Sequence, residues 1–261
     1  MTTRPFEVVC EIEPATTPDL TRVRHQIGVL SPIADMFLIP DNHIGRATVS
    51  SVAVAHEVEA MGGRSIACLN ARDRNLLGFR RDLLTAAAYG VDQFLFVYGD
   101  TPQAGTRTSE LTVRTMLDEG RAYATGLTPP LPMRFGAATG LRPLPAWKQA
   151  ADFLFVQIGF SLDALLAWRA EAEAGGRLRP GVPVYAGVLV IASAAMARTV
   201  QIPGVELPPD LAPRLERDRN AGVDLACDLV AAIRDSGAFD GVHLIPVARY
   251  REVAARLEKI L

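Results

Sequence analysis

Lysine is almost missing from this 261-residue chain: Lys148 and Lys259 stand alone among 27 basic residues. A mechanism built on a lysine Schiff base would therefore have to use Lys148, which lies in the body of the chain. Cysteine is scarce too. Cys10, Cys68 and Cys227 are far apart with no C-x-x-C pair, which excludes a disulfide framework and leads us to expect a reducing compartment. No His, Cys and Asp spacing points to a metal site. The apolar runs all stop well short of the roughly 18 residues that a membrane helix needs. Residues 1–5 are too short for a signal peptide, so a soluble cytoplasmic protein with no membrane partner is expected. An excess of one charge is also lacking. The formal net charge of -2 leaves no basic footprint for nucleic acid. There is no low-complexity segment, no linker and no short repeat.

What the chain does have is apolar residues, 49% of the total, enough for a large core. They come as short continuous runs, each closed by a polar residue. Val8-Val9-Cys10 stops at Glu11, Met36 through Pro40 at Asp41-Asn42, and Ile66 through Leu69 at Asn70. Phe94 through Tyr98 stops at Gly99-Asp100, and Phe153 through Val156 at Gln157. Runs of this kind alternating with helical spacing predict buried parallel strands joined by helices. Strands are expected at 6–11, 34–39, 64–69, 93–97, 133–137, 153–157, 184–190 and 242–245.

Helix signals separate these strands. Pro14, Thr16, Thr17 and Pro18 make a turn before a helix that starts at Asp19 and carries Leu20, Val23 and Ile27. Thr48 or Ser50 caps the next helix, which ends at Gly62-Gly63. Leu76, Leu77, Phe79, Leu83 and Leu84 are read as the inner face of a third, stopped by Gly90. Further helices are expected at 110–123, 146–151, 162–174 (capped by Ser161), 194–200, 220–236 and 249–261. Pro203, Pro208 and Pro209 mark an irregular excursion. The eight strand–helix units predict an α/β protein, a (β/α)8 TIM barrel formed by residues 1–261 as one domain, a size typical of that fold at about 250 residues.

In such a barrel the carboxyl ends of all strands form one face, where chemistry collects. Glu11, Asp100 and Gln157 should therefore look into one pocket, which makes an enzyme the leading reading. A pocket carboxyl group can serve as a general acid, a second carboxylate can stabilise positive charge, and an amide can both donate and accept. Plainer roles compete: Glu11 as a solvated rim residue, Asp100 as a turn residue after glycine, and Gln157 as a loop-holding amide. Glu13 is read as a rim residue. Asp41 and Asn42 could bind ligand or form an Asx turn, and Arg72, Asp73 and Arg74 could reach a phosphate or form a rim salt bridge. His25 and His56 fall on helices, and His243, in the last strand, is read as packed or hydrogen-bonded.

At these strand ends the chain resembles the methylenetetrahydrofolate reductase family. The resemblance rests on Cys10-Glu11-Ile12-Glu13-Pro14, on Tyr98-Gly99-Asp100-Thr101-Pro102 and, more loosely, on Val156-Gln157-Ile158-Gly159-Phe160. It continues from Pro183 through Gly187 to Gly241-Val242-His243, so it spans nearly the whole chain. Asp41-Asn42-His43 with Ser50-Ser51, and Arg72-Asp73-Arg74-Asn75 with Asp82-Leu83-Leu84, resemble the branch found in acetogens and in fusions with homocysteine methyltransferase.

The resemblance implies reduction of 5,10-methylenetetrahydrofolate by NADH or NADPH through FAD, in one-carbon metabolism. It implies catalytic roles for Glu11, Asp100 and Gln157, and cofactor-binding roles for Cys68, Asn70, Tyr98, Gly99, Asp100, Ala138 and Lys148. The implied partner is a folate or related reduced pterin, with self-association left open. Departures from the family cluster at flavin contacts. Tyr98 stands where arginine is usual and Cys68 where histidine is frequent. Thr139 through Pro143 is a reduced version of a longer family segment, and Ala194 or Ala195 replaces an aromatic residue. A reductase that works without flavin or with a different cofactor, and a non-catalytic pterin-binding subunit, are the alternatives.

Overall fold

Eight parallel strands pair in sequence order and the last closes on the first. They are β1 (Glu7–Glu11), β2 (Met36–Ile39), β3 (Ser65–Asn70), β4 (Gln93–Val97), β5 (Arg134–Thr139), β6 (Phe153–Ile158), β7 (Val184–Leu189) and β8 (Gly241–Ile245). Around them run α1 (Thr21–Leu30), α2 (Ser51–Ala60), α3 (Leu76–Ala88), α4 (Val113–Gly126), α5 (Leu162–Ala174), α6 (Ala194–Thr199), α7 (Leu211–Arg217), α8 (Ala221–Ser236) and α9 (Tyr250–Leu257). The chain is a (β/α)8 barrel. This computed structural model describes residues 5–13, 15–202 and 204–261; Pro14 of the first turn and Pro203 of the excursion lie outside them, as do residues 1–4.

The strands read as continuous apolar runs because both of their faces are covered. Successive side chains point to opposite faces of the ring. Val9, Met36, Leu38, Ile66, Cys68, Leu95, Phe153, Phe155 and Tyr185 pack together as the barrel interior. Their neighbours Val8, Cys10, Phe37, Ala67, Phe94, Phe96 and Phe135 instead join the core beneath the helices. The interior is tight: a Cβ at Gly136 would lie 2.1 Å from the Phe153 ring. At the amino-terminal mouth the Tyr185 hydroxyl donates to Glu7 at 2.5 Å, closing that end with polar side chains.

Several expected elements shift. Leu77 and Leu84 do not face inward; they are 78% and 51% exposed. They lie seven residues apart on one stripe of α3, and Phe79, Leu83 and Ala86 take the buried stripe. Thr112, not Glu110, begins α4. Thr112 and Thr115 form a reciprocal cap, while the Glu110 carboxylate accepts the Leu76 N–H at 3.1 Å. The seventh helix, α7, lies in the stretch that Pro203, Pro208 and Pro209 marked as an irregular excursion, and Pro213 falls in its first turn. In the first turn of a helix, proline gives up no hydrogen bond. Ser161 caps α5 as expected, accepting from Ala164 at 3.4 Å. Ser50 occupies the cap position of α2 without a side-chain bond, and the Thr48 hydroxyl accepts the Asn42 N–H at 3.3 Å. Among the described residues no helix is long and apolar enough to cross a membrane.

Candidate active site

The carboxyl ends of the strands enclose a pocket of about 420 Å³, a size ordinary for a small-molecule site. Glu11, Cys68, Gly99, Asp100, Ala138, Gln157 and His243 all line it. Pleat alternation puts them there: Glu11 follows Val9 on the inner face of β1, and Cys68 follows Ile66 on β3.

Glu11 accepts from, or donates to, His243 Nε2 at 3.1 Å, and their side chains are 17% and 12% exposed. The imidazole is stacked on Phe155 with ring centroids 5.1 Å apart. Among the described residues Glu11 makes no other side-chain hydrogen bond, so Oε1 stays open to a ligand. Cys68 walls the pocket as a neutral thiol. Burial, reinforced by the charges of Glu11 and Asp41, holds its pKa well above the ordinary thiol value.

Gln157 sits where the pairing of β6 with β7 slips, between Val156 and Ile158. A bulge of this kind re-aims a side chain, and Gly187 makes room for it: a Cβ there would lie 2.7 Å from Ile158 N. The Gln157 Oε1 accepts the Ile158 N–H at 3.0 Å, which leaves the Nε2 donor free. Asp100 is exposed at the rim, where its Oδ2 accepts the Ile44 N–H at 2.8 Å. That bond latches the loop after β2 to the loop after β4. Gln103 N donates to Gly45 O at 2.9 Å across the same seam. Asn42 and Ile44 hold positive φ (48° and 57°), an uncommon and strained state that often accompanies functional loops.

Three other residues lie apart from the pocket. Asn70 is 1% exposed, and its amide is fully used: Nδ2 donates to Asp41 at 2.7 Å and Asp73 at 2.9 Å, and Oδ1 accepts the Asp73 N–H. Asp41 and Asp82 also bind Arg74, so this network ties β2 to β3. Tyr98 follows Phe94 and Phe96 on the outer face of β4. It lines a separate cleft of about 450 Å³ together with Thr112, Arg114, Ala138, Trp147 and Lys148. Lys148 donates to Ala138 O at 2.6 Å and has no acidic partner among the described residues; burial pulls its pKa down to about 8. Val97 and Ala138 line both clefts, so the two adjoin.

The His243 contact to Glu11 went unread in the sequence. The signal was available: β1 and β8 must meet when the barrel closes, and both residues occupy inner-face positions. Among the described residues no group of three His, Cys, Asp or Glu side chains is placed to hold a metal.

The fold and pocket define a (β/α)8 barrel with a candidate ligand site at the carboxyl ends of its strands. Residues 147–260 match the family model described as methylenetetrahydrofolate reductase. Gln157, Lys148 and His243 fall inside the match; Glu11, Cys68, Tyr98 and Asp100 precede it. No curated protein matches the chain. Among solved structures, an uncharacterized protein from Clostridium thermocellum that binds two copies of 5-methyl-5,6,7,8-tetrahydrofolic acid is similar at TM-score 0.67 and 13% identity, covering 99% of this chain and 97% of its own. The spore cortex-lytic enzyme SleL of Bacillus cereus follows at 0.58 and 10%, covering 98% and 75%. EDTA monooxygenase from Chelativorans sp. BNC1 stands at 0.55 and 10%, covering 98% and 93%. At such identities the likeness establishes the fold alone.

Proposed function

We propose that this chain is a methylenetetrahydrofolate reductase-like oxidoreductase, reducing 5,10-methylenetetrahydrofolate to 5-methyltetrahydrofolate with NADH or NADPH and, as relay, FAD. The observation that carries the reading is the Glu11–His243 pair on the floor of the pocket, with Asp100 and Gln157 on its walls. The family match over residues 147–260 and the methyltetrahydrofolate bound by the Clostridium thermocellum neighbour support a folate ligand.

Before reduction the five-membered ring of the substrate opens to an iminium, and the departing nitrogen needs a proton. Glu11 holds that proton on Oε1, facing the ligand, while His243 fixes Oε2 and orients the group. The second oxygen of Asp100, not engaged by Ile44, faces the positive charge that the open ring develops. The free Nε2 of Gln157 donates to an acceptor on the pterin. Phe155 and Leu95 exclude water from the floor.

The residues present fit FAD: the cleft beside Lys148 supplies a cation without an acidic partner and aromatic walls, and it adjoins the folate pocket through Val97 and Ala138. When bound, FAD supplies a carrier of two electrons between nicotinamide and folate. The same donor set accepts any adenine dinucleotide, which favours, as a second reading, a reductase that takes hydride straight from the nicotinamide. The visible spectrum of the purified protein, before and after FAD is added, separates the two. Bleaching by NADH and recovery with methylenetetrahydrofolate is the expected result. A colourless protein that refuses FAD but reduces the folate selects the second reading. Failure to reduce the folate with either nicotinamide sinks both.

A further inference from the structure

The opposite face of the barrel, where β5, β6 and β7 begin, carries a cavity of about 410 Å³. Arg121, Arg134, Asp152 and Arg179 line it, with Met133 and the turn at 180–183 completing the wall. Each arginine comes from a different element: Arg121 from α4, Arg134 from the first position of β5, and Arg179 from the loop that enters β7.

Three guanidinium groups share one carboxylate. Asp152 Oδ1 accepts from Arg121 Nη2 at 3.1 Å and lies 3.9 Å from Arg179 Nη2. Its Oδ2 accepts the Phe135 N–H at 2.9 Å, which commits that oxygen to the amino end of β5. Arg134 has no acidic partner among the described residues. Its Nη1 donates to Gln93 Oε1 at 3.1 Å, and its guanidinium lies 5.6 Å from the centroid of the Phe153 ring. The other bonds of Arg121 and Arg179 go to backbone, to Ala150 O at 2.8 Å and Ala151 O at 3.1 Å.

A guanidinium has five N–H donors in a fixed fork, and each of these three groups engages only one of its nitrogens. None of the unused nitrogens is buried without a partner, so they stay open to the cavity and its solvent. Three positive charges against one negative leave a surplus of two. Like charges held this close repel, and a cluster serving stability alone has no need of the surplus. A phosphate monoester carries close to two negative charges at neutral pH, and guanidinium forks match its oxygens in pairs. Met133, Pro180, Val182 and Pro183 give the cavity an apolar side, which suits the organic part of an ester. The turn is fixed: Val182 N donates to Arg179 O at 3.2 Å, and Gly181 takes φ +78°, which glycine adopts freely.

We infer that this cavity is a phosphate-binding site in which Arg121, Arg134 and Arg179 hold the dianionic group of a small phosphomonoester. The inference stands apart from the reductase reading, because no residue of this cavity lines the central pocket or the Lys148 cleft.

Titration calorimetry with glycerol 3-phosphate and with inorganic phosphate, at fixed ionic strength in chloride, tests it. Arg179→Met should weaken glycerol 3-phosphate binding by about 10- to 100-fold, as loss of a charged hydrogen-bonding partner does. Arg179 is half exposed on a loop, so this variant should melt as the wild type does. Arg121→Met should weaken binding by a similar factor. Asp152→Asn should act in the opposite direction: it removes the competing negative charge, and affinity should rise by about 3- to 10-fold. Tighter binding of glycerol 3-phosphate than of inorganic phosphate supports the ester. The reverse order overturns the ester and assigns the site to the free ion. No heat with either ligand, or affinity unchanged in both methionine variants, overturns the site. Weaker binding in Asp152→Asn overturns it too, by making the arginines a structural cluster around that carboxylate.

Discussion

The two clefts at the top of the barrel treat charge in opposite ways. In the central pocket each ionic group has a neighbour: Glu11 has His243, Asp41 has Arg74, and Asp100 has the Ile44 amide. In the side cleft Lys148 and Arg114 have no acidic partner among the described residues. Preorganised pairs suit a site that must hold a proton and steady a developing charge, since the groups are already in place when the reaction begins. Unmatched cations suit a site whose counter-charge arrives with the ligand. On the proposed reading the first arrangement serves the chemistry and the second the binding.

The largest effect that could break this division is Glu11→Gln. Loss of the general acid should lower folate reduction by about 10²- to 10⁴-fold while the affinity for ADP, used as a probe of the side cleft, stays at the wild-type value. A comparable fall in ADP affinity would merge the two clefts into one functional unit. Asp100→Asn should slow the single-turnover rate by about 100-fold with the melting temperature unchanged, because the amide oxygen can still accept the Ile44 N–H. An unaltered rate would remove Asp100 from the chemistry.

Gly45→Ala sharpens the comparison from the side of the scaffold. Gly45 has φ +67°, and a Cβ there would lie 1.9 Å from Thr101 O, at the seam that positions Asp100. Stability should fall by roughly 2 kcal/mol, read in urea melts, and the reduction rate with it, while ADP binding is spared. A variant as stable as the wild type would show the seam to be dispensable.

The smallest effect is a pH dependence. Burial lowers the Lys148 pKa from 10.5 to about 8, so its charge is lost as pH rises through 8, and ADP affinity should drop a few-fold between about pH 7 and 9. Lys148→Met should bind more weakly at pH 7 and show a flat profile. The linkage to stability has the opposite sign. Between about 8 and 10.5 the unfolded chain holds the proton that the folded one has released, so the ligand-free protein gains stability as pH rises across that window. A calorimetric profile that stays steep in Lys148→Met would assign the titration to another group.

Much of this was legible in the chain. Continuous apolar runs marked each strand within a few residues, since a strand covered on both faces can hold little else. The polar residue closing each run marked the rim, and with it Glu11, Asp100 and Gln157. Helix facing was harder. Leu77 and Leu84 are apolar yet exposed, because the stripe through Phe79 and Leu83 already fills the groove against the barrel. Pro203, Pro208 and Pro209 marked an irregular excursion and hid α7, which starts just after them and holds Pro213 in its first turn, where the missing N–H costs nothing.

The set of residues read together as cofactor-binding was divided by the pleat. Gly99 and Ala138 reached the central pocket, Tyr98 turned outward with Phe94 and Phe96, and Asn70 was spent on Asp41 and Asp73. The family match covering residues 147–260 likewise starts after β5, short of the span that the strand-end motifs indicated. Cys68 and Tyr98, two positions at which the chain differs from the family it resembles, both precede the matched span.

The sequence by itself determined the barrel and which residues stand at its rim, because strand period and strand ends are local properties that burial imposes on neighbouring residues. Only the tertiary structure decided who meets whom: that β8 brings His243 to Glu11 across 232 positions, and that Arg72 goes without an acid among the described residues although Asp73 is next to it in the chain. Pairing of charge depends on distances across the ring closure and on competition for each carboxylate, and neither is written in the order of residues along one strand.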